Sequence, residues 1–101
     1  MGRNSRRKPK HLSKKLLHIR EALGLSQNGM IRRLGFEEEL FQDSISAFER
    51  GVREPSLPVL LQYARVAEVY VDALIDDSID LPERLPASQK YKWALRYTRH
   101  R

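Results

Sequence analysis

Residues 25–51 read LSQNGMIRRLGFEEELFQDSISAFERG, and two helices are legible in them. Ser26 has the character of an N-cap, a hydroxyl that accepts from the free amides of the turn it opens. Gln27 to Leu34 then places Met30, Ile31 and Leu34 on one helical face and Arg32 and Arg33 on the other. Gly35 stands where a helix-ending glycine is found. Phe41, Ile45 and Phe48 repeat at intervals of four and three, which predicts a second helix ended by Gly51. Glu37, Glu38 and Glu39 would suit the start of this second helix because of the positive end of its dipole.

Working outward, Leu12, Leu16, Ile19 and Leu23 form an apolar stripe on an earlier helix that Gly24 stops. Ahead of it, Gly2 to Lys10 is polar, basic and proline-containing, and reads as a loosely held arm. Downstream, Val52 to Pro55 is a charged turn. Ser56 caps a fourth helix with Pro58 in its first turn, where a missing amide costs little. Its apolar face is expected to be Leu57, Leu60, Leu61, Ala64 and Ala67, and a short fifth helix follows around Val71 to Asp76. Asp77 to Pro86 reads as an exit linker, and Tyr91 to Tyr97 has the pattern of a helical turn or two. The fold class expected is all-α: five helices in a domain over 12–76, a basic arm over 1–11, and a linker with a basic tail over 77–101.

A chain of 101 residues has room for one domain with a modest core. It has no cysteine, hence no disulfide framework or thiolate metal site. No apolar run approaches the roughly 18 residues of a membrane span. The basic opening is followed by no apolar segment of the kind a secretory signal needs. A cytoplasmic location is the expectation.

The formal charge of +6 is unevenly distributed. Residues 1–20 hold eight Lys and Arg and no acid; residues 88–101 hold five and again no acid. Between them, 21–87 sets six basic residues against all thirteen acids, a net of −7. The charge pattern therefore supports basic ends that contact phosphate, not a basic globule.

Three motifs in order carry more information than the charge. Leu25-Ser26-Gln27, Ile45-Ser46-Ala47-Phe48-Glu49-Arg50-Gly51 and Pro55-Ser56-Leu57 resemble the entry helix, the "ISxxExG" recognition helix and the fourth helix of the Cro/lambda-repressor-like (XRE-like) helix-turn-helix family of bacterial transcriptional regulators. The likeness spans about 12–76. It implies a sequence-specific double-stranded DNA-binding protein whose recognition helix enters the major groove. Gln42, Asp43 and Ser44, with Ser46 and Ala47 one turn on, fall where base contacts are implied; a carboxamide at 42 suits adenine. Gln27, Arg50 and Arg53 fall where phosphate contacts are implied. Arg20 and Glu49 match a family pair that joins the first helix to the recognition helix. Val69, Val71, Leu74 and Ile75 match a homodimer contact, with the monomer's own core as the competing use.

The chain departs from this pattern between Gly35 and Ile45, where it has about four extra residues, Phe36 to Glu39. Four residues are about one helical turn; they either lengthen the recognition helix or enlarge the loop. Ile31 stands where the family has a smaller residue. In the arm, Arg6, Arg7, Lys8 and Lys10 are candidates for DNA phosphates.

Enzyme readings lack their parts. His11, His18 and His100 have no metal spacing, and no nucleophile motif or phosphate-binding glycine loop is present. Asp76, Asp77 and Asp80 lack the glycine and closing glutamate of a calcium loop. No cofactor or metal is expected. The alternative to a DNA-binding regulator is a protein-interaction module on the same fold, of the antitoxin or bridging-factor type, whose acidic centre engages a basic protein partner.

Overall fold

Local chemistry sets most of the helix ends in the computed structural model, which describes residues 8–87. The helices are α1 (Leu12–Ala22), α2 (Gln27–Leu34), α3 (Gln42–Glu49), α4 (Leu57–Ala67) and α5 (Val71–Ile75), and no strand occurs among the described residues. The Ser26 hydroxyl accepts from the Gly29 amide at 2.9 Å and opens α2. Ser56 does the same for α4 at 3.4 Å to Val59, with Pro58 in the first turn. Gly35 ends α2 with φ +80°, a left-handed conformation that side chains disfavour. None of these helices is long and apolar enough to cross a membrane.

The helices close around Leu16, Ile19, Met30, Leu34, Ile45, Tyr63 and Leu74, all fully buried. The helix pair α2 and α3 packs together; α1 lies against α3, α4 and α5, and α4 against α2 and α5. Gln62 on α4 donates to the Leu34 carbonyl at 3.3 Å and so satisfies one of the open acceptors at the end of α2.

One alternative is settled and two expectations are corrected. First, of the two courses open to the extra residues, they enlarge the loop, and α3 does not begin among the glutamates. Phe36 and Leu40 both turn inward, and the Phe36 carbonyl accepts from Glu39 at 3.1 Å and Leu40 at 2.9 Å. The extra residues thus make a closed turn of their own, with Glu37 to Glu39 exposed. The backbone then extends at Phe41 (φ −122°, ψ 169°) and α3 starts at Gln42. Burial of two apolar side chains outweighs a few tenths of a kcal/mol from acids at a helix start. As a result Phe41 leaves the expected stripe and is 69% exposed.

Second, the buried face of α4 is Val59, Leu60, Tyr63, Ala64 and Ala67. Leu57 is 80% exposed and Leu61 also reaches solvent. Tyr63, the largest of these side chains, takes the centre of the stripe and fixes its phase.

Third, residues 77–87 are no free linker; they lie along α1. Lys15 is 7% exposed, and its ammonium donates to the carbonyls of Ala73 (2.8 Å), Asp76 (3.1 Å) and Ile79 (2.7 Å). Those carbonyls lie at and beyond the negative end of α5, so a cation is well placed. A His18 ring nitrogen lies 3.3 Å from the Pro82 carbonyl, and Leu85 and Ala87 are buried. At the other end, the Asp77 carboxylate accepts from the backbone amides of Lys10 (2.9 and 3.1 Å) and His11 (3.1 Å). The root of the expected basic arm is therefore tied down. Arg6 and Arg7 lie outside the described residues, as do the Tyr91 to Tyr97 segment and the rest of 88–101.

Two expectations follow for stability. Lys15→Met keeps an apolar stem but strips the cation from three carbonyls, and is expected to lower the unfolding free energy by about 2–4 kcal/mol in urea denaturation. The two backbone amides, Lys10 first, hold the Asp77 carboxyl below its ordinary range. A depressed native pKa stabilises above the unfolded value of about 3.9 and is lost as pH falls through the native one. Thermal melts of Asp77→Asn are therefore expected to lie below those of the native chain at neutral pH and to converge with them in acid below that range.

Candidate nucleic-acid interface

The outward face of α3 begins with Gln42 and Asp43, both exposed, continues with Ser46 half-buried one turn on, and ends at exposed Arg50. Ser44 and Ala47 face inward with Ile45 and Phe48. Ser44 serves the helix itself: its hydroxyl accepts from the Phe41 amide at 3.1 Å, while its own amide donates to the Phe41 carbonyl at 2.9 Å. Of the five side chains assigned to base edges from the sequence, α3 turns Gln42, Asp43 and Ser46 outward.

Behind this face runs a chain of hydrogen bonds from α1 to the tip of α3. Arg20 grips Glu49 with both ends of its fork, Nε to Oε2 at 2.6 Å and Nη2 to Oε1 at 3.1 Å. Its remaining arm, Nη1, donates to the Leu25 carbonyl at 3.0 Å, just ahead of α2. The Gln27 amide donates to Glu49 Oε1 at 3.2 Å, and the Gln27 carbonyl accepts from Gln42 Nε2 at 3.2 Å. The Glu49 side chain is only 6% exposed and that of Arg20 is 17% exposed. The bond to Glu49 holds the Arg20 guanidinium above its ordinary pKa. Burial, with Glu49 nearby, pushes up that of the Tyr63 phenol, whose hydroxyl has no hydrogen-bond partner among the described residues.

This chain fixes two carboxamides at adjoining helix starts. One N–H of Gln42 is spent on Gln27, which leaves its carbonyl oxygen and second N–H for a ligand. Gln27, the first residue of α2, adds an N–H beside amides that have no partner within the helix. The pair is therefore pre-oriented for a donor–acceptor edge and, next to it, an anion.

At the far end of α3, Arg50 Nε donates to Ser46 Oγ at 3.1 Å, and the Arg53 guanidinium sits 5.5 Å from the centre of the Phe48 ring. Gly51 between them has φ +75°, a backbone conformation that side chains rarely adopt, and it lies against Ser13 of α1. The arm root lies alongside: Lys8, Pro9 and Lys10 share a groove with Val52, Arg53 and Glu54. Arg53, Lys8 and Lys10 are thus brought to one groove together with Glu54, while Arg50 is exposed at the end of α3.

The residues matched to a dimer contact are divided. Leu74 is fully buried in the monomer, Val69 and Val71 are half-buried against its core, and Ile75 is exposed. No group of three His, Asp or Glu side chains able to hold a metal ion occurs among the described residues. Sequence reasoning missed the Gln27–Gln42 bond and the exposure of Phe41, because both depend on the turn at 36–40. The chain matches no protein-family model, no curated protein and no solved structure.

The buried pair yields a double-mutant test. Arg20→Met leaves the Glu49 carboxylate buried without its cation and is expected to cost about 3–5 kcal/mol in denaturant unfolding. Changing Glu49→Leu as well removes the stranded charge, so the double variant is expected to be more stable than Arg20→Met alone.

Proposed function

We propose that this chain is a sequence-specific double-stranded DNA-binding regulator of transcription, of the Cro/lambda-repressor-like helix-turn-helix kind, acting in the cytoplasm. The observation that carries the reading is the linked series Arg20, Glu49, Gln27, Gln42, which ends in a carboxamide aimed outward from the start of α3. In the major groove Gln42 accepts from adenine N6 and donates its second N–H to N7. Asp43 and Ser46 flank that contact, the carboxylate accepting from a cytosine amine. Gln27 donates to a phosphate beside the reading helix. Arg50, Arg53, Lys8 and Lys10 hold the backbone on the other side of it, and Arg6 and Arg7 are further phosphate contacts proposed from the sequence. Ser44 and Ala47 support α3 from within.

A homodimer presents two such faces to half-sites about one helical turn (~34 Å) apart. Ile75, exposed beside Leu57 in one groove, is the contact we assign to it. The reading requires no cofactor and no catalytic step. The exposed Glu37 to Glu39 favours a second reading, an interaction module that binds a basic protein; a single stoichiometric protein partner with no duplex retained would select it.

Selection from a random duplex pool, followed by fluorescence titration across salt, tests the first. Expected are two related half-sites, affinity that falls as a power of salt concentration, and for Gln42→Ala about a tenfold loss with one base preference per half-site relaxed. No binding to any duplex at low salt would overturn it.

A further inference from the structure

One exposed side chain at the start of α3 makes none of the contacts proposed above. Phe41 stands directly before Gln42, and among the described residues it takes no part in the core. The position before a helix calls for Ser, Thr, Asp or Asn, whose oxygen caps the first amides. A phenyl ring supplies no acceptor, and this one meets solvent over most of its surface. The chain compensates from within the helix, through the Ser44 hydroxyl.

The backbone that carries the ring is also held in place. Leu40 is anchored in the core on one side, and the paired bonds between Phe41 and Ser44 close the other. In the extended backbone between them, Leu40 turns inward and Phe41 outward. The ring therefore projects from the start of α3, next to the exposed Gln42 and Asp43.

A phenyl group forms no hydrogen bond with a base edge. The apolar feature of the major groove is the C5 methyl of thymine. Insertion between base pairs, the other use of an exposed phenylalanine, belongs to proteins of the minor groove. We propose that Phe41 packs on a thymine methyl beside the base read by Gln42 and so determines specificity at that step. The proposal rests on the DNA-binding reading.

The test uses the full chain on its own selected duplex, with each thymine replaced singly by deoxyuridine, which lacks the methyl. The native protein is expected to lose about threefold to tenfold in affinity at one thymine per half-site. Phe41→Ser, which restores a capping hydroxyl, is expected to keep the native circular dichroism and melting temperature. It binds the thymine duplex more weakly by a similar factor and is indifferent to deoxyuridine. Indifference of the native protein at every thymine, or a Phe41→Ser variant with native affinity and native sensitivity, overturns the proposal and leaves the DNA-binding reading standing. A native chain that binds no duplex, including one that instead captures a protein through Phe41, overturns both.

Discussion

The ion pair between Arg20 and Glu49 is the constraint on which the arrangement of the first three helices depends. Burying a carboxylate this well is costly unless a cation stands at bonding distance. The fork of Arg20 meets it twice and spends its third direction on the chain entering α2. One guanidinium thus fixes the relative placement of α1, the start of α2 and the end of α3. Gln27 and Gln42 add a second layer that reaches the surface. Geometry rather than net affinity is what such a pair supplies: an apolar substitute of the same shape would hold the helices together with less directional control.

Charge elsewhere is handled segment by segment. The acidic centre is not a single surface. Glu37 to Glu39 occupy a closed turn, Asp77 holds the arm root, and Asp76 accepts from both the amide and the hydroxyl of Ser78. The positive edge gathers Lys8 and Lys10 from the arm root and Arg53 from the turn after α3. The overall charge of +6 describes none of this.

What the sequence makes legible is what local chemistry decides. Ser26, Gly35, Gly51, Ser56 and Pro58 mark helix ends because capping and positive φ are properties of one or two residues and their neighbours. The turn at 36–40 was not legible, since the dipole rule for Glu37 to Glu39 competes with the burial of Phe36 and Leu40, and only packing settles which wins. The α4 stripe was mis-phased for a similar reason: leucines at 57 and 61 fit one face by pattern, and Tyr63 claims another by size. Leu85 is a lone apolar residue between prolines, and Lys15 looks like any solvated lysine. Their partners lie far along the chain. At the site, Arg20 and Glu49 stand 29 positions apart and were connected through a family likeness, not by spacing; the Gln27–Gln42 bond had no local signal at all.

The buried ammonium of Lys15 has a consequence for the order of folding. Its three acceptors lie 58 to 64 positions downstream, so α1 cannot leave water on that face until α5 and the segment after it have arrived. Closing so long a loop is an entropic cost met before the contact returns anything. The buried face of α1 is therefore complete only when α5 and the segment after it are in place. The first helix and the last described segment are thereby joined through one side chain.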